Sequence, residues 1–188
     1  MSAPSVRPSR AAPASAPPYG PDGAPAVTFA EVGRADLPLL RGWFSEPHVR
    51  AWWGTPEEEI AAVEADLGGG GFAMWIASIE GVPFAYVQDG PPEQAEEPYY
   101  ADPPEGHRAV DVLIGPPSHL GRGLAAPMLQ AFAAHAAGRG IAGLLIDPDA
   151  SNGPAVRAYR RAGFEEVSRH RDAEGETIVM RMSLGRPA

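Results

Sequence analysis

The sequence predicts an α/β domain with a mixed, mostly antiparallel sheet of about seven strands and about four helices beside it. Segments with strand-like and helix-like periodicity alternate along the chain from Ala26 onward. Glu80-Gly81 separates one pair of strand-like runs, and residues 172–175 separate another, as in β-hairpins. The other strands are joined through helices, which requires crossovers. Hairpins together with crossovers give a sheet that contains both strand directions.

In the first half, the strongest local signal is the capping box Thr55-Pro56-Glu57-Glu58, with proline at the first helical position. Asp36 caps an earlier helix that runs to about Phe44. The predicted elements are a strand at 27–32, helices at 37–44 and 56–67 separated by a loop at 46–54, and a hairpin at 72–79 and 82–88.

In the second half, a Pro-rich acidic segment at 89–108 is predicted to be a long loop. Gly163 follows a helical run and is a candidate C-cap glycine. The predicted elements are strands at 109–114 and 144–147, helices at 123–137 and 154–162, and a hairpin at 164–171 and 177–182.

The N-terminal segment, residues 1–26, contains seven Pro, seven Ala and four Ser. Such a composition buries little apolar surface, so we expect this segment to be disordered. The folded domain is then expected to span residues 27–188. The remaining chain has one ordinary domain's length.

Composition excludes several kinds of chemistry. The 15 basic residues are all arginine, which excludes lysine Schiff bases. The absence of cysteine excludes disulfides, thiolate nucleophiles and cysteine-ligated metals, and no metal is expected. A net charge of −9 argues against a nucleic-acid partner. Without an apolar run of ~18 residues we expect no membrane span, and we predict a cytoplasmic monomer or homodimer.

Two segments carry the chemistry. In the first, an apolar strand leads through Gly121-Arg122-Gly123 into a helix, an arrangement that suits an anion or equally a simple turn. In the second, Asn152, Ala155, Tyr159 and Gly163-Phe164 have the spacing N-x-x-A-x-x-x-Y-x-x-x-G-F. Taken alone, the asparagine is equally a helix cap and the tyrosine a packing residue.

These two segments in this order resemble the GNAT superfamily of acetyl-CoA-dependent N-acetyltransferases, over about residues 27–182. The resemblance implies a sheet with splayed central strands and acetyl-CoA as acyl donor. Leu120 replaces the Gln or Arg of the family pattern, which removes one side-chain contact. The implied coenzyme A site comprises Leu113, Ile114, Gly115, Leu120, Gly121, Arg122, Gly123, Leu124, Ala125, Asn152, Ala155 and Tyr159.

More specific motifs are similar to those of aminoglycoside 6′-N-acetyltransferases: A-W-W-G at 51–54, D-x-x-I-G at 111–115 and D-P-x-x-S-N at 147–152. A related siderophore-synthesis branch often has histidine at the position of Asp111. Polycationic acceptors need carboxylates and aromatic surface. The predicted acceptor site comprises Trp52, Glu97, Tyr99, Tyr100, Asp102, Asp111 and Asp147. We expect one of Trp52 and Trp53 to face the core and the other the cleft.

The implied mechanism is direct transfer, because no cysteine can carry an acyl group. Asp111 would take the proton of the ammonium, directly or through water, and Tyr159 would protonate the departing thiolate. Two alternatives stay open. In the first, the chain is an acetyltransferase whose acceptor is a siderophore intermediate or another small amine. In the second, it is a non-catalytic module that binds acyl-CoA or an aminoglycoside.

Overall fold

A seven-stranded sheet in the order β1-β2-β3-β4-β5-β7-β6 forms the centre of the computed structural model, which describes residues 26–95, 97–100, 102–173 and 175–185. Of its strand pairs, β4–β5 is parallel and the other five are antiparallel. The strands are β1 (Val27–Glu31), β2 (Ala73–Ile79), β3 (Val82–Gly90), β4 (His107–Ile114), β5 (Gly143–Ile146), β6 (Glu165–Arg171) and β7 (Glu176–Ser183). The predicted mixed α/β sheet is confirmed.

Two apolar clusters cover the two faces of this sheet. One contains Phe132 of the fourth helix and Tyr159 of the fifth, and the other contains Leu40, Phe44 and Ile60 of the first and third helices. The α-helices are α1 (Leu37–Phe44), α2 (Pro47–Arg50), α3 (Pro56–Leu67), α4 (Ala125–Gly138) and α5 (Gly153–Ala162). Within the described residues, no helix is both long and apolar enough to cross a bilayer.

Two of the three local signals at helix ends are confirmed. The third is wrong in part: Asp36 precedes α1, but its side chain makes no capping hydrogen bond to that helix, and its Oδ2 instead accepts a hydrogen bond from the amide of Gly33 at 2.8 Å. Thr55 accepts a hydrogen bond from the amide of Glu58, whose carboxylate accepts one from the amide of Thr55 in return. This reciprocal pair satisfies amides that the first turn leaves free. Gly163 ends α5 with φ of 113°, a left-handed conformation that glycine adopts without a Cβ clash.

Two predicted loops contain regular structure. The loop predicted at 46–54 includes α2, because Pro47 at the first helical position favours a turn and Val49 is buried. The loop predicted at 89–108 is shorter, because β3 continues to Gly90 and β4 begins at His107. Between them, residues 92–95 and 98–100 form 3-10 turns. Residues 1–25 lie outside the described residues.

Asp89 differs from its prediction: it was expected in an acidic loop, and the structure places it on β3 in the core. It is fully buried and accepts hydrogen bonds from Trp75 Nε1 (3.0 Å), Arg108 Nε (2.5 Å) and Arg139 Nη1 (2.7 Å). A buried carboxylate requires such partners. Asp89 therefore fastens the end of α4 to the sheet and does not contribute to an acceptor site.

Candidate active site

An opening between β4 and β5 forms the centre of the site. The two strands pair at only three register positions, from His107–Gly143 to Ala109–Leu145. β4 then continues to Ile114, whereas β5 ends at Ile146. The strands therefore part beyond Ala109, and the predicted splay of the central strands is confirmed.

The register of β3 and β4 decides which amides of β4 face this opening. Gly115 donates its N–H to the carbonyl of Phe84 across 2.9 Å, so this pair is hydrogen-bonded. Antiparallel ladders alternate, so the amide of Leu113 also faces β3, and the amides of Val112 and Ile114 face the opening. Of the three predicted cofactor positions at the end of β4, which are Leu113, Ile114 and Gly115, only Ile114 presents its backbone amide to the opening. Val112, which sequence reasoning missed, does the same.

Two further contacts fix the end of β4. His48 Nε2 lies 2.9 Å from the carbonyl oxygen of Ile114 and so connects α2 to this strand. A Cβ on Gly115 would lie 2.1 Å from the indole of Trp43, so only glycine allows this approach. Gly115 thus serves close packing at the mouth of the opening.

The turn before α4 has an open, glycine-rich backbone. Gly121 and Gly123 have φ of 70° and 74°, and a Cβ at either would meet nothing within 4 Å. Leu124 begins α4 without a capping side chain. The predicted Leu120, Arg122 and Ala125 lie beside these glycines, and Leu120 and Arg122 are exposed. Free amides at a helix start together with an exposed arginine fit a pyrophosphate group.

α5 supplies the second predicted segment. Asn152 Oδ1 accepts a hydrogen bond from the amide of Ala155 at 3.2 Å, so the asparagine caps the helix. Tyr159 lies one turn after Ala155 and is 9% exposed. Burial raises the pKa of Tyr159, and the negative charges of Asp111 and Asp147 raise it further. The phenol therefore keeps its proton at neutral pH while it faces both acids.

Asp111 lies on β4 opposite Gln88 of β3. Gln88 Nε2 donates to Asp111 Oδ2 across 2.9 Å. Burial, followed by the charge of Asp147, raises the pKa of Asp111 to about 6, although the hydrogen bond from Gln88 opposes that rise. A carboxylate with this pKa is mostly ionised at pH 7 and still basic enough to accept a proton.

The tyrosines of the loop at 91–106 close the site from a second side. Tyr99 donates its hydroxyl to Asp147 Oδ2 across 2.7 Å, and its ring lies 4.9 Å from that of His170. Tyr100 is 3% exposed, and its buried hydroxyl has no hydrogen-bond partner among the described residues. Burial raises the pKa of Tyr100, and the charges of Asp147 and Asp111 raise it further, so its phenol lies near the two acids.

Three of the predicted acceptor residues differ from these acids and tyrosines in being exposed to solvent. Glu97 and Asp102 are exposed, as is Trp52, whereas Trp53 packs its ring 6.1 Å from that of Tyr86. One tryptophan thus faces the core, as expected. Sequence reasoning missed Glu59, whose charge helps to raise the pKa of Asp111. Two other loop acids, Glu96 and Glu174, lie outside the described residues.

Comparison with known proteins agrees with this geometry. A family model described as acetyltransferase (GNAT) domain matches residues 33–171. An aminoglycoside N(6′)-acetyltransferase type 1 of Klebsiella pneumoniae is 28% identical over 170 residues, which cover 82% of this chain and 81% of that protein.

Solved structures give the same result. The aminoglycoside acetyltransferase AAC(6′)-Ib in complex with paromomycin and acetyl-CoA superposes with a TM-score of 0.75 at 25% identity, over 84% of this chain and 93% of that one. An aminoglycoside N(6′)-acetyltransferase of Legionella pneumophila superposes with a TM-score of 0.70 at 25% identity, over 84% and 92%. The expected donor, acetyl-CoA, is confirmed by these likenesses. The chain is an acyltransferase and belongs to the GNAT family of acetyltransferases.

Proposed function

We propose that this enzyme transfers the acetyl group of acetyl-CoA directly to an amine of a small polycationic acceptor, the 6′-amine of aminoglycoside antibiotics. The observation that carries the proposal is that Asp111 and Asp147 lie on and just after the two strands that part, β4 and β5, and that their charges act on the buried phenol of Tyr159. The relatives that acetylate aminoglycosides at the 6′ position support the choice of acceptor.

The first task of the site is to bind a cation. Asp111 and Asp147 lie within electrostatic reach of each other, and Glu59 adds a third negative charge. Burial and mutual repulsion make the acids unfavourable together, and an ammonium group relieves both effects. This cluster therefore favours an acceptor with more than one positive charge over a neutral amine.

The second task is proton transfer. Asp111 accepts the proton that the ammonium must lose before its nitrogen can attack, directly or through one water. When bound, acetyl-CoA supplies a thioester carbonyl that a neutral amine can attack. Tyr159 holds its proton at neutral pH and donates it to the departing sulfur. The chain has no cysteine, so the acetyl group passes to the amine without a thioester on the enzyme.

The backbone of this chain holds the donor. The amides of Val112 and Ile114 face the opening and can bond the pantetheine arm. The turn at Gly121 and Gly123, together with the start of α4, holds the pyrophosphate, and Arg122 supplies a positive charge there.

A thiol-release assay with acetyl-CoA tests the proposal on an amine panel. Neomycin and paromomycin form a matched pair, because neomycin has an amine at position 6′ where paromomycin has a hydroxyl. We expect turnover of kanamycin and neomycin and at least tenfold less of paromomycin. Equal turnover of the pair would exclude the 6′ position. Turnover of hydroxylamine or polyamine acceptors alone would favour the small-amine alternative.

The same proposal implies resistance to these antibiotics. Expression in a susceptible bacterium should raise the inhibitory concentration of kanamycin, and expression of the Asp111→Asn variant should not. Thermal shifts with coenzyme A and kanamycin but no thiol release would indicate the binding-module alternative.

A further inference from the structure

We propose that Tyr86 is a positioning residue that acts through Gln88 to orient Asp111 and stabilise its carboxylate form. This inference rests on the proposed role of Asp111 as the base. It concerns two residues, Tyr86 and Gln88, to which the mechanism described above gives no role.

The geometry is a chain of two hydrogen bonds. Tyr86 and Gln88 are two residues apart on β3, so both side chains lie on one face of the sheet. Tyr86 donates its hydroxyl to Gln88 Oε1 across 2.8 Å. Gln88 Nε2 then donates to Asp111 Oδ2 across 2.9 Å. The carboxylate thus has one oxygen held by an N–H donor.

The Asp111 carboxylate selects the orientation of the Gln88 amide, and the Tyr86 hydroxyl holds it. The reverse orientation would place the Gln88 oxygen against a carboxylate oxygen, with two acceptors and no proton between them. In the observed orientation the Gln88 carbonyl accepts the Tyr86 hydroxyl while the amide nitrogen points at the carboxylate. Replacing Tyr86 by phenylalanine would remove the contact that holds the Gln88 amide in place.

Packing holds the phenol in place. Tyr86 is fully buried. Its ring lies 5.9 Å from that of Phe44 in an edge-on arrangement and 6.1 Å from that of Trp53. The hydroxyl therefore occupies a fixed position on a rigid strand, as a group that orients a base must.

Electrostatics shows why Asp111 needs this support. Burial disfavours its charged form most, and the charges of Asp147 at the end of β5 and Glu59 on α3 disfavour it further. Tyr100 and Tyr159 contribute only neutral phenols to the same region. Among the described groups that shift Asp111, the Gln88 amide is the one that favours the carboxylate.

The test is a titration that needs no substrate. The carbon-13 carboxyl resonance of Asp111, assigned with Asp111→Asn, is followed against pH in the full chain. We compare the native protein with Gln88→Met, which keeps the side-chain length, and with Tyr86→Phe. Phe44→Leu is the matched control, because it disturbs the packing of the Tyr86 ring but keeps the hydroxyl.

We expect the Asp111 midpoint to rise by about one pH unit in Gln88→Met and by about half a unit in Tyr86→Phe. Phe44→Leu should lower the melting temperature and leave the midpoint in place. The acid limb of the kcat/KM profile should move with the midpoint. A one-unit rise predicts losses of about twofold at pH 7 and about ninefold at pH 5.

Each outcome decides a separate point. An unmoved midpoint in both variants overturns the inference, and a shift confined to Gln88→Met removes Tyr86 from it. A shift in both variants supports it. If the midpoint moves while no amine is acetylated by the native enzyme, the proposed function fails and the hydrogen-bonded chain stands.

Discussion

The hydroxyl of Tyr99 donates a hydrogen bond to Asp147 across 2.7 Å and so connects the loop at 91–106 to the end of β5. The two residues are 48 positions apart in the chain. This contact orients the carboxylate of Asp147, which follows the buried strand β5, toward the opening beside β4. Binding of the acceptor should therefore depend in part on this hydroxyl of the loop.

Tyr99→Phe should raise the KM of the amine acceptor about tenfold and change kcat less. A hydrogen bond to a charged group contributes about 1.5–3 kcal/mol, and ~1.4 kcal/mol corresponds to tenfold in affinity. Initial-rate kinetics with kanamycin at saturating acetyl-CoA measures the effect. An unchanged KM would show that Asp147 is oriented without the loop.

Tyr100→Phe is the matched comparison on the same loop. In the part of the chain that the structure describes, its buried hydroxyl makes no hydrogen bond, so its removal should not lower the melting temperature of the free protein. Because that hydroxyl lies near Asp147 and Asp111, we expect it to bond the bound acceptor and its loss to raise the amine KM. A lower melting temperature with an unchanged KM would assign Tyr100 to the core alone.

Tyr159→Phe should lower kcat by about 10²-fold, the lower end of general-acid effects. The ring packs near Phe164, with centroids 6.1 Å apart, and phenylalanine preserves that contact. Melting temperature and coenzyme A affinity should therefore stay close to native values. Pre-steady-state thiol release measures the chemical step, and a native rate would remove the phenol from the mechanism.

Signals that depend on neighbours in sequence were predictable. The reciprocal hydrogen bonds of Thr55 and Glu58 and the left-handed Gly163 follow from local backbone chemistry, and the structure has both. The same holds for the hairpins. Asp111 and Tyr159 were implied as site residues by the family resemblance, and in the structure the charge of Asp111 reaches the buried phenol of Tyr159.

Relationships that depend on register were not predictable. Gln88 and Asp89 are adjacent, yet strand alternation sends Gln88 to Asp111 and Asp89 to Arg108 and Arg139 on the opposite face. The residues that neighbour Asp89 in the sequence do not indicate that Arg108 and Arg139 will be its partners. Glu59 lies in the first turn of α3, and only the packing of α3 on the sheet brings its charge to Asp111.

Asp89→Ala should destabilise the protein by about 3–5 kcal/mol, because it leaves Arg108 and Arg139 without their buried partner. Urea unfolding measures the change. Glu93→Ala is the control, since this exposed acid of the same segment should alter stability by less than about 0.5 kcal/mol. Equal effects of the two substitutions would place Asp89 with the surface acids.

Gly123→Ala should weaken coenzyme A binding by about tenfold or more. A Cβ fits sterically in the free protein, but φ of 74° strains alanine by about 1–2 kcal/mol and shifts the turn that meets the phosphates. Gly140→Ala is the matched control, with φ of 83°, an open Cβ position and a place at the far end of α4. Calorimetric titration with coenzyme A should separate the two, and equal losses of affinity would assign the effect to general strain.

Asp111→Asn should abolish acetylation while coenzyme A still binds, and it should also stabilise the fold at pH 7. The pKa of Asp111 rises from 3.8 to about 6 on folding, so the folded chain binds the extra proton between those values. Stability from this group therefore falls as pH rises through that window. A pKa shift of about two units corresponds to at most about 3 kcal/mol in the free energy of unfolding. The partial exposure of Asp111 lowers this upper limit, so we expect a gain of about 1–3 kcal/mol for the variant.

The comparison of pH values separates this effect from general packing. Near pH 4 the native Asp111 is protonated in the folded state, so the asparagine variant should have nearly the same unfolding free energy as the native protein. At pH 7 the variant should be the more stable of the two in urea. Activity below pH 6 should decline in the native enzyme as its base becomes protonated. A variant that is less stable than the native protein at both pH values would show that the carboxylate of Asp111 is not under the electrostatic strain inferred from Asp147 and Glu59.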